Sequence, residues 1–459
     1  MLNIERTCPT LHNGASRREL LKIGALGFGG LSLAEVLRLQ AQGKTVAPAT
    51  KKSVIMVILP GGPSHIDMYD PKPNAPKEFR GEFDTIATKV PGLDFCEYMP
   101  LQAQIADKMS VIRGMKFLGR HDPYELLSGR PSLRSGEIRA AEKWPVFGSV
   151  VSRLRTEQAT TAQAMPHYVN LNDLQTSPGT DDPEVPRYLG AHYGPFRPTG
   201  PGLANLRLPA EVSLQRLEER KSLLAQFDQT RRKVDASEDM RALDQYQRRA
   251  VEMVTSGAVY QALDLNQEDA RVRERYQGCT DLLLARRLVE AGVSVVTVAQ
   301  GGFQKTTGAG VFGVWDTHAE NFPSMRKLLP DYDRAIYTLL TDLYERGLDQ
   351  QVAVVIWGEF GRSPRIGDET NIGVRYANGR GHWWDAGFAV MAGGGLRMGQ
   401  VVGETDVKAE RSKGRPYTPQ NVLATMYHVL GIDPGASFLD YQGRPVHLLD
   451  DRQLIRELI

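Results

Sequence analysis

Ser53-Val54-Ile55-Met56-Val57-Ile58-Leu59, halted by Pro60-Gly61-Gly62-Pro63, decides the fold. The run is short, apolar and rich in β-branched residues. It lacks the polar alternation of a half-solvated strand, so it reads as a strand buried on both faces. The Pro-Gly pairs stop it. Similar runs recur downstream at Val293–Ala299 (VSVVTVA), Val352–Trp357 (VAVVIW) and Ala386–Met391. Ser110–Ile112 and Tyr168–Leu171 are weaker versions. Between them, Leu328–Leu343 is an amphipathic helix with Leu329, Tyr332, Ile336, Leu339, Leu340 and Leu343 on one side. Asn421–Leu430 reads as a closing helix after Thr418-Pro419. Residues 209–290 carry dense mixed charge with helical spacing and read as a helical insertion on the sheet. Continuous apolar strands alternating with helices make an α/β fold, with a mainly parallel sheet covered on both faces.

In such sheets ligands bind beyond the carboxyl ends of the strands, so the residues after each strand are the candidates. After the first strand comes Gly61-Gly62-Pro63-Ser64-His65-Ile66-Asp67. His65 and Asp67 would point the same way in an extended segment; the alternative is a polar Gly-Pro turn. After 293–299 and a glycine-rich loop comes Trp315-Asp316-Thr317-His318, a second Asp/His pair. After 352–357 comes Gly358-Glu359-Phe360-Gly361-Arg362. There Glu359 can face the site and Arg362 can hold an oxyanion through two hydrogen bonds; the alternative is a surface ion pair. His382 lies in Gly379-Arg380-Gly381-His382-Trp383-Trp384. His121 precedes Asp122-Pro123-Tyr124-Glu125, which fits the start of a helix, and is a candidate ligand or proton donor. Imidazole and carboxylate together suit Zn²⁺, Mn²⁺ or Fe, with Ca²⁺ a further option.

Composition narrows the rest. The chain has 459 residues and a formal charge of +2, so the whole chain carries no nucleic-acid signature. Near the start, Ser16-Arg17-Arg18-Glu19-Leu20-Leu21-Lys22 precedes a short Gly/Ala/Leu stretch ending at Leu33. That stretch is too short for a bilayer, which needs about 20 apolar residues. Residues 1–42 therefore read as a twin-arginine secretory signal, and 43–52 as a linker. The expected partner is the twin-arginine export machinery and the expected location is the periplasm or cell envelope, with no permanent membrane span. Only Cys96 and Cys279 lie beyond the signal. Spacing does not establish that they pair, and two cysteines exclude a disulfide framework.

Seven stretches occur in one order: the Arg-Arg leader, GGPSHIDMYDPKP (61–73), HDPYELLSGR (121–130), LLARRLVEAGVSVVTV (283–298), WDTHAENF (315–322), GEFGRSP (358–364) and GRGHWWDAG (379–387). Together they resemble the bacterial family called domain of unknown function 1501, related to the alkaline phosphatase and sulfatase superfamily. The resemblance implies a three-layer α/β/α sandwich over residues 53–459, with a centre of one or two metals at the strand ends. It also implies a hydrolase of a phosphate or sulfate ester. Asp316 and His318 resemble an Asp-and-His element of the phosphatases. Glu359-Phe360 stands where those enzymes have Asp-His, and His382 resembles their last histidine ligand. Leu126–Arg130 resembles a sulfatase stretch, yet Gly119 stands at the position of its Cys or Ser nucleophile. Ser64 is then the substitute candidate, with direct attack by water as the other route.

The expected ligands are thus His65, Asp67, Asp316, His318, Glu359 and His382, about 2.0–2.2 Å from a metal. The expected catalytic residues are Ser64, His121 and Arg362, acting on a small or polymeric anionic ester. The competing expectation is a degenerate member that binds sulfated or phosphorylated glycans or an envelope partner. A phosphomutase-type transferase would need a serine or threonine nucleophile that the sequence does not place.

Overall fold

The computed structural model describes residues 52–459 except 120, 122, 132–143, 159–164, 173, 175–181, 199–218, 220–251, 254–255, 302, 307–309 and 368–377. The signal reading and most of the 209–290 reading lie outside these residues. Seven strands form the central sheet: β1 (Ser53–Ile58), β2 (Met109–Arg113), β3 (Tyr168–Asn170), β4 (Val295–Ala299), β5 (Val352–Trp357), β6 (Phe388–Gly393) and β7 (Gln400–Val402). Their order is β7-β2-β6-β5-β1-β4-β3. β1 pairs in parallel with β4 and β5, β3 with β4, and β7 with β2. Only β6 is antiparallel, to both of its neighbours. The sheet is therefore mainly parallel, as the apolar runs predict.

The five main helices are α1 (Tyr124–Ser128), α2 (Phe147–Gln158), α3 (Thr280–Glu290), α4 (Asn321–Glu345) and α5 (Pro419–Val429). The strand pleat sends alternate residues to opposite faces. Ile55, Val57, Val296, Val354 and Ile356 join one core with Leu282, Leu288, Leu329 and Leu339 of α3 and α4. Val54, Met56, Ile58, Val295 and Val355 join the other with Leu126, Val150, Leu423 and Met426 of α1, α2 and α5. That is a three-layer α/β/α sandwich. β1 is buried at every position. At about 1.5–3 kcal/mol per fully buried aliphatic side chain, it anchors the sheet centre and the glycine loop that follows.

Some elements depart from the sequence pattern. α3 lies at the end of the 209–290 span and packs on the sheet in the same layer as α4. β7 is a half-buried three-residue edge strand whose pattern carries no period. Cys96 and Cys279 are buried free thiols. No helix among the described residues is long and apolar enough to cross a membrane.

Candidate metal centre

Five segments meet at one edge of the sheet. β1, β2, β4 and β5 end there, and β6, running the other way, begins there. The chain after β4 returns to this edge at Trp315, whose N–H donates to the Pro60 carbonyl at 3.1 Å. Gly61 makes the close approach possible. Its φ is 108°, and a Cβ there would lie 2.4 Å from the Asp316 nitrogen. His382 pairs antiparallel with Arg362 in a two-residue ladder shortly after β5. The loop carrying His121 is held by Glu125, whose carboxylate accepts the Leu118 N–H at 3.0 Å.

Asp316 is the centre of what these segments bring together. Its Oδ1 accepts from His318 Nε2 at 2.8 Å, Arg362 Nη2 at 2.7 Å and His382 Nε2 at 3.2 Å. Its Oδ2 faces His121 Nε2 at 3.1 Å. Ligand atoms of His121, Asp316 and His382 lie within 4.8 Å of one another. His121 Nδ1 is 3.6 Å from Glu359 Oε1, which also accepts the Gly61 N–H at 2.8 Å. His121 and His318 are 28% and 19% exposed against 7% for Asp316, so the cluster opens to solvent through the two imidazoles. His318 itself sits at φ 36°, a rare backbone for a residue with a side chain.

The electrostatics follow from this packing. Burial opposes ionisation of Asp316, but hydrogen bonds from His121, His318 and His382 and the Arg362 charge outweigh it, holding the carboxyl well below the usual range. Burial likewise opposes charging of His121, yet Asp316 and Glu359 prevail and raise its pKa. Burial pushes His382 down to about 4 despite Asp316. Burial also raises Glu359, against the His121 charge and the Gly61 N–H. One rim is aromatic: Phe360 lies 4.6 Å from His382 and 4.5 Å from Trp384, centroid to centroid.

Not every expected residue reaches this cluster. His65 and Asp67 do not join it. His65 is fully buried with Nε2 on the Ala409 carbonyl at 2.9 Å, and Asp67 is paired with Arg380 at 2.8 Å. The chain turns at His65, whose carbonyl accepts the N–H groups of Tyr69 and Asp70 at 3.1 and 2.9 Å, so the two residues do not lie along an extended edge. Ser64 is not a free nucleophile, because its buried hydroxyl donates to Asp67 at 2.6 Å. Arg362 does not face a substrate. Its guanidinium has no exposed surface and is spent on the carbonyls of Gly61, Gly62, Trp315 and Arg380 and on Asp316. His318 touches Asp316 but stands outside the mutually close trio. Sequence reasoning overlooked Arg380, although it sits two residues before His382 in the same glycine-flanked run.

The sequence profile of the family described as "Protein of unknown function (DUF1501)" matches residues 51–459. The chain belongs to that family. No curated protein matches the sequence significantly. Among solved structures, this DUF1501 chain is similar to the PsFucS1 sulfatase from Pseudoalteromonas sp., at 12% identity and a TM-score of 0.35, over 87% of this chain and 70% of that one. It is also similar to the phosphonate monoester hydrolase SpPMH from Silicibacter pomeroyi, at 11% identity and a TM-score of 0.38, over 84% and 74% of the two chains. A third is the lipoteichoic acid synthase LtaP from Listeria monocytogenes, at 8% identity and a TM-score of 0.32, over 91% and 93%.

Proposed function

We propose that this DUF1501 protein is an exported, metal-dependent hydrolase of a phosphate or sulfate ester. The observation that carries the reading is one ionised carboxylate, Asp316, surrounded by three imidazoles at the strand edge. The residues fit a divalent cation. His121, Asp316 and His382 offer a nitrogen–oxygen donor set of the kind Zn²⁺, Mn²⁺ or Fe takes. Glu359 Oε2 is buried beside them with no hydrogen-bond partner. When bound, such an ion supplies Lewis acidity to the ester and to an attacking water.

The protein's own groups do the remaining work. Arg362 fixes Asp316 Oδ1 from below and balances its charge. His121 stands between the two carboxyl groups, with Nε2 3.1 Å from Asp316 Oδ2 and Nδ1 3.6 Å from Glu359 Oε1. His121 is also the most exposed of the three imidazoles. It therefore serves either as a ligand of the ion or, where the ion is held without it, as the group that exchanges a proton with water or a leaving oxygen. With Ser64 consumed by Asp67, the nucleophile in this reading is water. Phe360 and Trp384 limit solvent on one side. The Arg17-Arg18 leader supports export by the twin-arginine route to the cell envelope.

The burial of Ser64 and Arg362 favours a second reading, a binder of sulfated or phosphorylated glycans on a hydrolase scaffold. Metal analysis and turnover of 4-nitrophenyl phosphate and 4-nitrophenyl sulfate separate the two, run beside a sulfated-glycan binding panel. The hydrolase reading expects bound metal and turnover, both lost in His382→Ala by more than the about 10–100-fold that removing a partner behind a ligand costs. A metal-free protein whose His318→Ala and His382→Ala variants behave like wild type sinks it.

A further inference from the structure

Beneath the exposed cluster lies a second polar network that the proposed chemistry does not touch. Its centre is Asp67, whose side chain has no exposed surface. Asp67 Oδ2 accepts from Ser64 Oγ at 2.6 Å, Asn321 Nδ2 at 2.9 Å and Arg380 Nε at 2.8 Å. Its Oδ1 accepts from Arg380 Nη2 at 3.1 Å. Each donor comes from a different segment of the edge. Ser64 belongs to the loop after β1. Asn321 opens α4, and its Oδ1 accepts from Thr317 Oγ1 at 2.7 Å, next to His318. Arg380 lies two residues before His382, and its backbone N–H donates to the His318 carbonyl at 3.1 Å. The rest of its guanidinium gathers the carbonyls of Phe79, Ser363 and Pro364.

Burying an ion pair costs desolvation free energy that its attraction often fails to return, so stability alone does not account for this one. Its position does. We infer that Asp67 is a positioning residue. Through Arg380 and Asn321 it holds the His382 and His318 segments so that both imidazoles reach Asp316 Oδ1. The consequence for metal affinity rests on the hydrolase reading above, whereas the positioning does not. Partners behind a ligand set are worth about 10–100-fold in metal affinity or activity.

The test uses Asp67→Asn and Asn321→Ala, with Asp342→Asn as a control for loss of stability. Asp342 sits in an ion network with Arg286 and Arg346 at 3.0 and 2.9 Å, about 30 Å along α4 from Asn321. Asn321→Ala leaves the buried ion pair intact, so it remains informative where Asp67→Asn does not fold. Zn²⁺ affinity is measured calorimetrically, and the imidazole nitrogen resonances of His318 and His382 are recorded in metal-free protein. Both edge variants are expected to weaken Zn²⁺ binding about 10–100-fold and to shift those resonances, while Asp342→Asn does neither. Folded edge variants with wild-type affinity and resonances would overturn the inference. Shifted resonances in a series where not even the wild type binds Zn²⁺ uphold the positioning and overturn the metal reading instead.

Discussion

Replacing Arg362 by lysine separates two accounts of that residue. A substrate clamp would lose affinity for an anionic ester and keep its fold. A buried brace would lose stability. The guanidinium serves five acceptors, the carbonyls of Gly61, Gly62, Trp315 and Arg380 and the Asp316 carboxylate. A lysine ammonium has three donors at one point and cannot span the same fork. At least two buried acceptors are then left without a donor, at about 1–3 kcal/mol each. The expected loss is about 3 kcal/mol or more, at the lower end of what breaking a buried pair costs, about 3–5 kcal/mol. Unfolding entropy is about 2.1 cal/mol/K per residue. Over the roughly 400 residues after Lys51, a 3 kcal/mol loss lowers the melting temperature by about 4 °C. Calorimetry and urea titration of Arg362→Lys beside wild type read this directly. An unchanged unfolding midpoint, together with a raised KM for 4-nitrophenyl sulfate, would refute the reasoning and restore the clamp.

Two further outcomes follow from the geometry. Gly61→Ala places a Cβ 2.4 Å from the Asp316 nitrogen at a φ of 108°, so it should destabilise by more than about 1 kcal/mol in urea and weaken Zn²⁺ binding as well. Asp333 receives the N–H groups of Leu101 and Gln102, yet burial pushes its carboxyl up to about 6. The folded protein thus binds this proton more tightly than the unfolded chain, whose aspartates titrate near about 3.9. Its contribution is therefore full below about pH 4 and is lost as pH rises to about 6, a change of up to about 3 kcal/mol. Asp333→Asn should flatten that slope, and urea midpoints at pH 4 and 6.5 that change equally in both proteins would dismiss it.

How much of this was legible in the sequence depended on range. The sheet was legible because a strand buried on both faces writes an unbroken apolar run, as in 53–59 and 352–357. The edge strand Gln400–Val402 was not, because half-buried residues on a short edge carry no such pattern. Asp316, His318, Glu359 and His382 were found because each follows or precedes a strand at the functional edge. The direction of His65 and Asp67 was not legible. Both follow a strand at the functional edge, as Asp316 does, and it is the turn closed on the His65 carbonyl that takes them out of an extended path. Arg362 and Arg380 show the same limit. Arginine near a strand end suits an anion clamp and a carbonyl brace equally well, and the partners that decide come from residues such as Phe79 and Asp67, far away in the chain.

Range also bears on how the centre would be filled. Only Asp316 and His318 are neighbours in sequence; His121, Glu359 and His382 come from loops joined by long stretches of chain. An unfolded chain would have to close several long loops for one ion, each at an entropic cost that grows with the logarithm of its length. The sheet removes that cost by bringing β1, β2, β4, β5 and β6 to one edge before any ligand is needed. In the proposed reading the ion therefore enters a folded protein, not a nascent chain. A route that exports folded cargo suits that order of events. The proposed twin-arginine leader and the proposed metal centre thus support each other through topology: ligands this far apart in sequence require folding first.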